Sequence, residues 1–406
     1  MYQFLESKVP NIIAELVPAK FSRTSQTMLR TIFQHMEKGL LKYKGAKIVS
    51  KAIDFDNQVV FPHGHNFDYC PDKVKTHIQG MIKKGSLFTF ELLGHNINIH
   101  IICSSKKANI ENFMQLAIKR IYVWLYLAFQ YSKPTCSTTM NIYLYMTNLK
   151  KTLPRIGEPI KEFNANTAFT TSCQPSTEMH LFREEEWFKV FIHETFHSLG
   201  LDFSEFDHKK TNAEVLSIFP VSSDVRLFET YCEMWAEILH CMFIVFYKQG
   251  SREPDSLIRE TQLLLDKERI FSIFQCAKIL HFYGLDYVDL YERTQKSHTN
   301  RLAKYKEETH VLSYYIIKSI FMFFVNDYVE WTATHNSNSL NFNKTHHLLH
   351  KNLMDYCGLL RKQYKRTEYT HILQMMDEWI TSIANHGNIE HHGILSTLRM
   401  TVNEMQ

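Results

Sequence analysis

Apolar residues follow two different periods along this chain, and the changes between them mark its parts. From Ser25 to Leu41 they recur at helical spacing, and the stretch Phe61-Pro-His-Gly-His-Asn66 that follows reads as a loop. The period then drops to two. Leu87-Phe-Thr-Phe-Glu-Leu92 and Ile97-Asn-Ile-His-Ile101 alternate on either side of Gly94-His-Asn96, which is the pattern of a β-hairpin. Asn109 stands where it can cap the next helix, which sets Ile110, Met114, Ala117, Ile121, Trp124 and Leu125 on one face. Ile142–Met146 reads as a short strand, and 164–172 and 179–182 as further extended segments. From Arg183 onward the pattern is mostly helical, with helices predicted over 184–199, 226–248, 255–282, 300–332, 346–364 and 369–385. The fold class is therefore α+β: a small sheet packed on helices, then a mostly helical carboxy-terminal region. Boundaries are expected near residue 84 and near Gly250, giving a mixed region over 1–84, a central domain over 85–250 and a helical domain over 251–406.

Composition narrows this reading. The chain has 406 residues, 45% of them hydrophobic and 22% charged, with 13 Gly and 10 Pro. Low-complexity and linker-dominated architectures are excluded, and so few chain-breakers favour helices. A net charge of +4 is too balanced to indicate a nucleic-acid partner. No apolar run approaches the roughly 20 residues of a membrane span. The first residues, MYQFLESKVPNIIAEL, do not have the form of a signal peptide. The 8 cysteines form no CxxC pair, so the expectation is a reduced, soluble protein of the cytoplasm.

Candidate chemistry concentrates in Phe191-Ile-His-Glu-Thr-Phe-His-Ser-Leu-Gly-Leu-Asp-Phe203, which contains His193-Glu194-x-x-His197. On a helix, residues i and i+4 share a face, so both imidazoles can reach one tetrahedral Zn²⁺. Glu194 is placed to take a proton from a metal-bound water rather than to bind the metal. The apolar residues Trp187, Val190, Phe191 and Ile192 lead into the motif, and Gly200 is a fitting terminator. Zinc needs a third protein ligand. The next helix carries Glu229, Glu233 and Glu237 four residues apart, among Phe228, Tyr231, Trp235 and Ile238. Such a stripe can be a solvated acidic face. Its apolar surroundings favour a buried carboxylate, which needs a charge partner or a metal. Glu229 is the favoured ligand, with Glu233 as the alternate. Asp202 is a weaker candidate, because the position ten residues after His193 is Phe203, which cannot bind metal.

HExxH followed by a glutamate on a second helix resembles the gluzincin superfamily of zinc metallopeptidases. The resemblance covers roughly residues 85–250. It implies a zincin-like catalytic domain holding one Zn²⁺ on His193, His197 and Glu229, with Glu194 as general base and Glu233 hydrogen-bonded to a ligand histidine. It also implies an edge strand for substrate, for which 164–170 is in the right place, and a Tyr or His from the carboxy-terminal part that stabilises the oxyanion. Tyr231, His310, Tyr314 and Tyr315 are candidates. The interval from His197 to Glu229 is 32 residues, longer than in compact members, so a loop or extra helix must occupy 205–223. The wider composition is similar to metallopeptidases of large DNA viruses, which implies a host cytoplasm or virion location. The expected function is peptide-bond hydrolysis with a peptide or protein as partner. The competing readings are a non-enzymatic zincin-fold scaffold or virion protein with a structural zinc, closed by Asp202 or His208, and a zinc hydrolase of non-peptide amides. Cys173 could block the metal or simply pack. The pairs His63/His65, His346/His347 and His391/His392 read as surface histidines.

Overall fold

The computed structural model describes residues 1–55, 64–81, 83–248, 253–385 and 389–405, the last with side chains from 393 onward. It is α+β. A six-stranded mixed sheet has the order β1-β2-β3-β4-β7-β6, formed by Val49–Ala52, Lys83–Leu92, His95–Ser104, Thr139–Met146, Ser176–Leu181 and Ala168–Thr170. β2 and β3 make the expected hairpin, with Phe90 opposite Ile97 and Leu92 opposite His95. The alternation sends Ile97, Ile99, Ile101 and Cys103 into the main core, and Asn98 and His100 to the other face. β4 and β7 run parallel to β3, while β6 pairs antiparallel to β7 and ends the sheet. A second, two-stranded sheet joins β5 (Ile160–Lys161) to β8 (Glu307–Glu308).

Sixteen helices are described. The amino-terminal ones are α1 (Tyr2–Lys8), α2 (Pro10–Glu15), α3 (Arg23–Lys44) and α4 (Asp72–Gly80). Within and beside the sheet lie α5 (Ile110–Ala128), α6 (Glu162–Ala165), α7 (Trp187–Ser198), α8 (Lys209–Ile218) and α9 (Leu227–Tyr247). The carboxy-terminal ones are α10 (Pro254–Tyr283), α11 (Gln295–Lys304), α12 (Lys318–Phe323), α13 (Val325–His335), α14 (Leu349–Gln363), α15 (Thr367–Asn385) and α16 (Ile389–Ser396). The interval between His197 and Glu229 holds a helix, α8, within the 205–223 stretch expected to carry a loop or an extra helix.

Several expectations are corrected. Asn109 precedes α5 in a left-handed conformation (φ 51°) and makes no side-chain cap. The helix expected from 184 begins at Trp187, because Glu186 takes φ 60°. The single helix expected over 300–332 is three. Between Lys304 and Leu312 the chain leaves the helix so that Glu307 and Glu308 can pair with β5, and no glycine or proline announces the break. It resumes as a π turn, Leu312–Ile317, whose first amide donates to Glu307 (2.9 Å). Not every thiol stays reduced: Cys136 and Cys173 form a disulfide, while the other 6 cysteines are free and buried. The boundary near Gly250 lies outside the described residues. The main hydrophobic core, with buried side chains from Leu5 to Met400, nevertheless spans all three expected regions, and a smaller cluster around Phe67, Tyr145 and Phe182 lies on the other face of the sheet. No described helix is long and apolar enough to cross a membrane.

Charged groups are buried within this core, each with partners. Glu186 meets Lys151 at 2.8 Å and accepts the amides of Met400 and Thr401 at 2.7 and 2.6 Å. Glu268 accepts those of Val402 and Asn403 at 3.0 and 2.9 Å. Lys318 donates to Glu237 (3.0 Å) and to the Met400 carbonyl (2.7 Å). A segment near the carboxy-terminal end is thus threaded past the start of α7, its backbone satisfied by buried ions instead of a strand partner.

Candidate metal centre

α7 is buried along its whole length and packs on α9 and against β6 and β7. Its end is a Schellman turn: Gly200 donates to the His197 carbonyl (3.0 Å) and Leu201 to that of Phe196 (2.8 Å). Gly200 takes φ 60°, and a Cβ there would sit 3.1 Å from that of Cys173. The reversal carries Asp202 back beside the helix it has just left.

Three donor atoms converge where α7 crosses α9. His193 Nε2 and Glu229 Oε2 are 3.1 Å apart, the two histidine Nε2 atoms 3.3 Å, and His197 Nε2 and Glu229 Oε2 3.5 Å. Ligand bonds of about 2.0–2.2 Å in a tetrahedron place donors roughly 3.3–3.5 Å apart, so the trio fits a Zn²⁺-sized ion. The far side of each ring is held as well. His193 Nδ1 bonds Glu233 at 3.1 Å, and His197 Nδ1 bonds Asp202. Those two contacts fix the rings with Nε2 turned toward Glu229. Glu233 is also paired with buried Lys189, and Asp202 is fixed by the Ser204 amide (3.1 Å) and hydroxyl (2.9 Å).

The electrostatics suit a cation. Burial opposes charge on His193, yet hydrogen bonds to Glu229 and Glu233 raise its pKa; burial likewise opposes Cys232 and Asp202 at His197, which titrates well above the usual range. Glu229, although buried, is held well below the ordinary carboxylate range by His197 and His193. Burial pushes Glu194 upward, only partly offset by the two histidines. Glu194 lines the same cleft, which has a volume of about 690 Å³. β6 forms part of its wall, and His310 and Tyr314 form another part.

The π turn delivers Tyr314, whose hydroxyl donates to Glu229 Oε2 at 3.0 Å. Burial and the neighbouring Glu229 raise its pKa, so the hydroxyl stays protonated. His310 lies beside Tyr314, with ring centroids 5.9 Å apart. The other two expected oxyanion candidates are elsewhere. Tyr231 donates to the Leu340 carbonyl (2.9 Å) and Tyr315 to that of Leu398 (2.6 Å), and neither lines the cleft. Asp202 is not with the donor trio but behind His197, and Phe203 is buried among Phe228, Tyr231 and Phe342. His208 contacts the Ser204 carbonyl (3.1 Å), so neither residue closes the trio with a fourth donor. Cys173 is committed to its disulfide. His65, His346 and His347 are exposed; His63 and the side chains of His391 and His392 lie outside the described residues.

Two supporting residues were not foreseen. Lys189 is four residues before His193, hence on the same helical face, and that spacing was available as a signal. Asp202 as an orienting group follows from a left-handed glycine two residues earlier. Comparison with protein-family models, with curated proteins and with solved structures gave no match.

Proposed function

We propose that this chain is a single-zinc metallopeptidase. The observation that carries the reading is the donor trio of His193, His197 and Glu229 at mutual distances of 3.1–3.5 Å, with both imidazoles oriented from behind by carboxylates. When bound, zinc supplies Lewis acidity, polarising a carbonyl and lowering the pKa of water to about 7. Glu194 accepts the proton of the attacking water and later gives it to the leaving nitrogen; its raised pKa suits both transfers. Tyr314, protonated and in the same cleft, donates a hydrogen bond to the oxygen that becomes negative. Among the described residues β6 ends the sheet, and its outer edge would offer backbone groups to an extended peptide. Among the described residues three donors stand together in the trio, the number that a catalytic zinc site would use while keeping one position for reactants.

Metal content decides the reading first. Protein purified without added zinc is expected to carry about one zinc per chain by mass spectrometry, and Glu229→Ala to lose most of it. A wild-type chain that stays metal-free after reconstitution would sink the proposal.

A further inference from the structure

The face of the sheet turned away from α7 carries a row of flat rings in register. His100 on β3 stands opposite Tyr143 on β4, Tyr143 opposite His180 on β7, and His180 opposite Phe169 on β6. Successive ring centroids are 4.7 Å apart at each of the three steps, with interplanar angles of 13°, 8° and 17°. That step equals the spacing of adjacent strands, about 4.7–4.9 Å. The rings are therefore stacked because the strands are paired, and each strand adds one ring. The row stops at Phe169 because β6 is the edge.

Phe169 is half-buried and borders two cavities at once. One is the cleft with Glu194. The other, of about 320 Å³, lies across β6 and is lined by Tyr69, Pro71, Asn166 and Phe182. Tyr69 stands edge-on to Phe169, with centroids 6.4 Å apart, and is 75% exposed. Its loop is built to hold that place. Glu178 accepts the amides of His65 and Asn66 at 3.0 and 2.9 Å and the Asn66 side chain at 3.0 Å. A Cβ at Gly64 would lie 2.4 Å from the Glu178 carboxyl carbon, so a larger residue there would have to displace the carboxylate that holds the loop.

We infer that this recess is a specificity subsite, and that the substrate class is an extended peptide with an aromatic side chain at the position pairing with Phe169. The inference rests on the peptidase reading for the presence of a peptide on β6. A peptide added to an edge continues the sheet, and its residues alternate between faces. The residue opposite Phe169 then points away from α7, and its ring enters the recess that Phe169 and Tyr69 both line. Its two neighbours point toward the face where His193 and Glu194 lie. Cross-strand aromatic pairs have modest energies, so the preference over leucine is about three- to tenfold.

The test is binding and cleavage of a set of ten-residue peptides in which Phe, Tyr, Leu or Ala is placed at each position in turn. Binding is measured on zinc-loaded Glu194→Gln and cleavage on the wild type. The expected result is tighter binding of Phe and Tyr peptides at one position near the cleaved bond. In a Glu194→Gln background, Phe169→Leu should cut that preference below about twofold and Phe169→Tyr should keep it. Equal binding of aromatic and aliphatic peptides, no binding of any, or a preference that survives Phe169→Leu would overturn the subsite. Aromatic-dependent binding without wild-type cleavage would leave the subsite standing and overturn the peptidase reading instead.

Discussion

Both imidazoles of the donor trio owe their orientation to carboxylates that stand outside it. His193 is set by Glu233, which is balanced by Lys189, and His197 is set by Asp202. Removing such an outer partner commonly weakens metal affinity 10- to 100-fold. Glu233→Gln is expected to lose zinc to a chelator at roughly that lower concentration, while Glu194→Gln, whose carboxylate is outside the donor trio, should keep wild-type zinc affinity. In Glu194→Gln, turnover of any cleaved peptide should fall by about 10²–10⁴-fold. A variant that holds zinc and cleaves at the wild-type rate would remove Glu194 from the mechanism. Lys189→Met leaves Glu233 buried without its cation, a change that costs about 3–5 kcal/mol and should appear as a lower urea midpoint.

Two elements take shapes that ordinary helices and strands would not supply. The turn at Gly200 must be left-handed for Asp202 to return to His197, and it must be bare for the Cys136–Cys173 disulfide to pack on it. Gly200→Ala should therefore cost at least 1–2 kcal/mol, roughly the left-handed penalty of an L-residue. Cys173→Ser frees a closed loop of 37 residues' separation and should lower stability by about 2–4 kcal/mol in chemical denaturation. If the variant unfolds with the wild-type midpoint, the bond does not form in solution. The π turn over Leu312–Ile317 is the other departure, since it carries Tyr314 to Glu229 where the expected single helix is interrupted.

Stability across the whole molecule should depend on pH from both sides, through groups distant from the donor trio. Burial pushes Glu307 up to about 7, against the hydrogen bonds of Ser223 and Leu312. A raised carboxyl stabilises fully below its unfolded value, near 4.5, and that contribution is lost as pH rises toward 7. Glu186 is the opposite case: burial would raise it, but Lys151 and Arg399 hold it down to about 2, so its contribution is lost as pH falls from about 4.5 toward 2. Thermal melts from pH 5 to 7 should show a decline that Glu307→Gln flattens; an unchanged slope would contradict the assignment. The threaded segment matters at this level too. A chain ending at Ser396 would leave Glu186 and Glu268 without four backbone donors, and cooperative melting should be lost.

What was legible in the sequence was local. Alternation around Gly94 gave the β2–β3 hairpin, helical spacing gave α3, α5, α9 and α10, and four-residue intervals on α7 and α9 put His193 with His197 and Glu229 with Glu233 on single faces. These follow from periods of two and 3.6, which are properties of the chain itself. Tertiary packing decided the rest. It broke the segment 300–332 so that Glu307 and Glu308 could pair with residues nearly 150 positions earlier, and no local residue signals that exchange. It put Tyr314 beside Glu229 and sent Tyr231 and Tyr315 to backbone carbonyls elsewhere, according to what lies across from each rather than to its own neighbours. It joined Cys136 to Cys173 and lined up His100, Tyr143, His180 and Phe169, because strand order and register are set only when distant segments share a sheet.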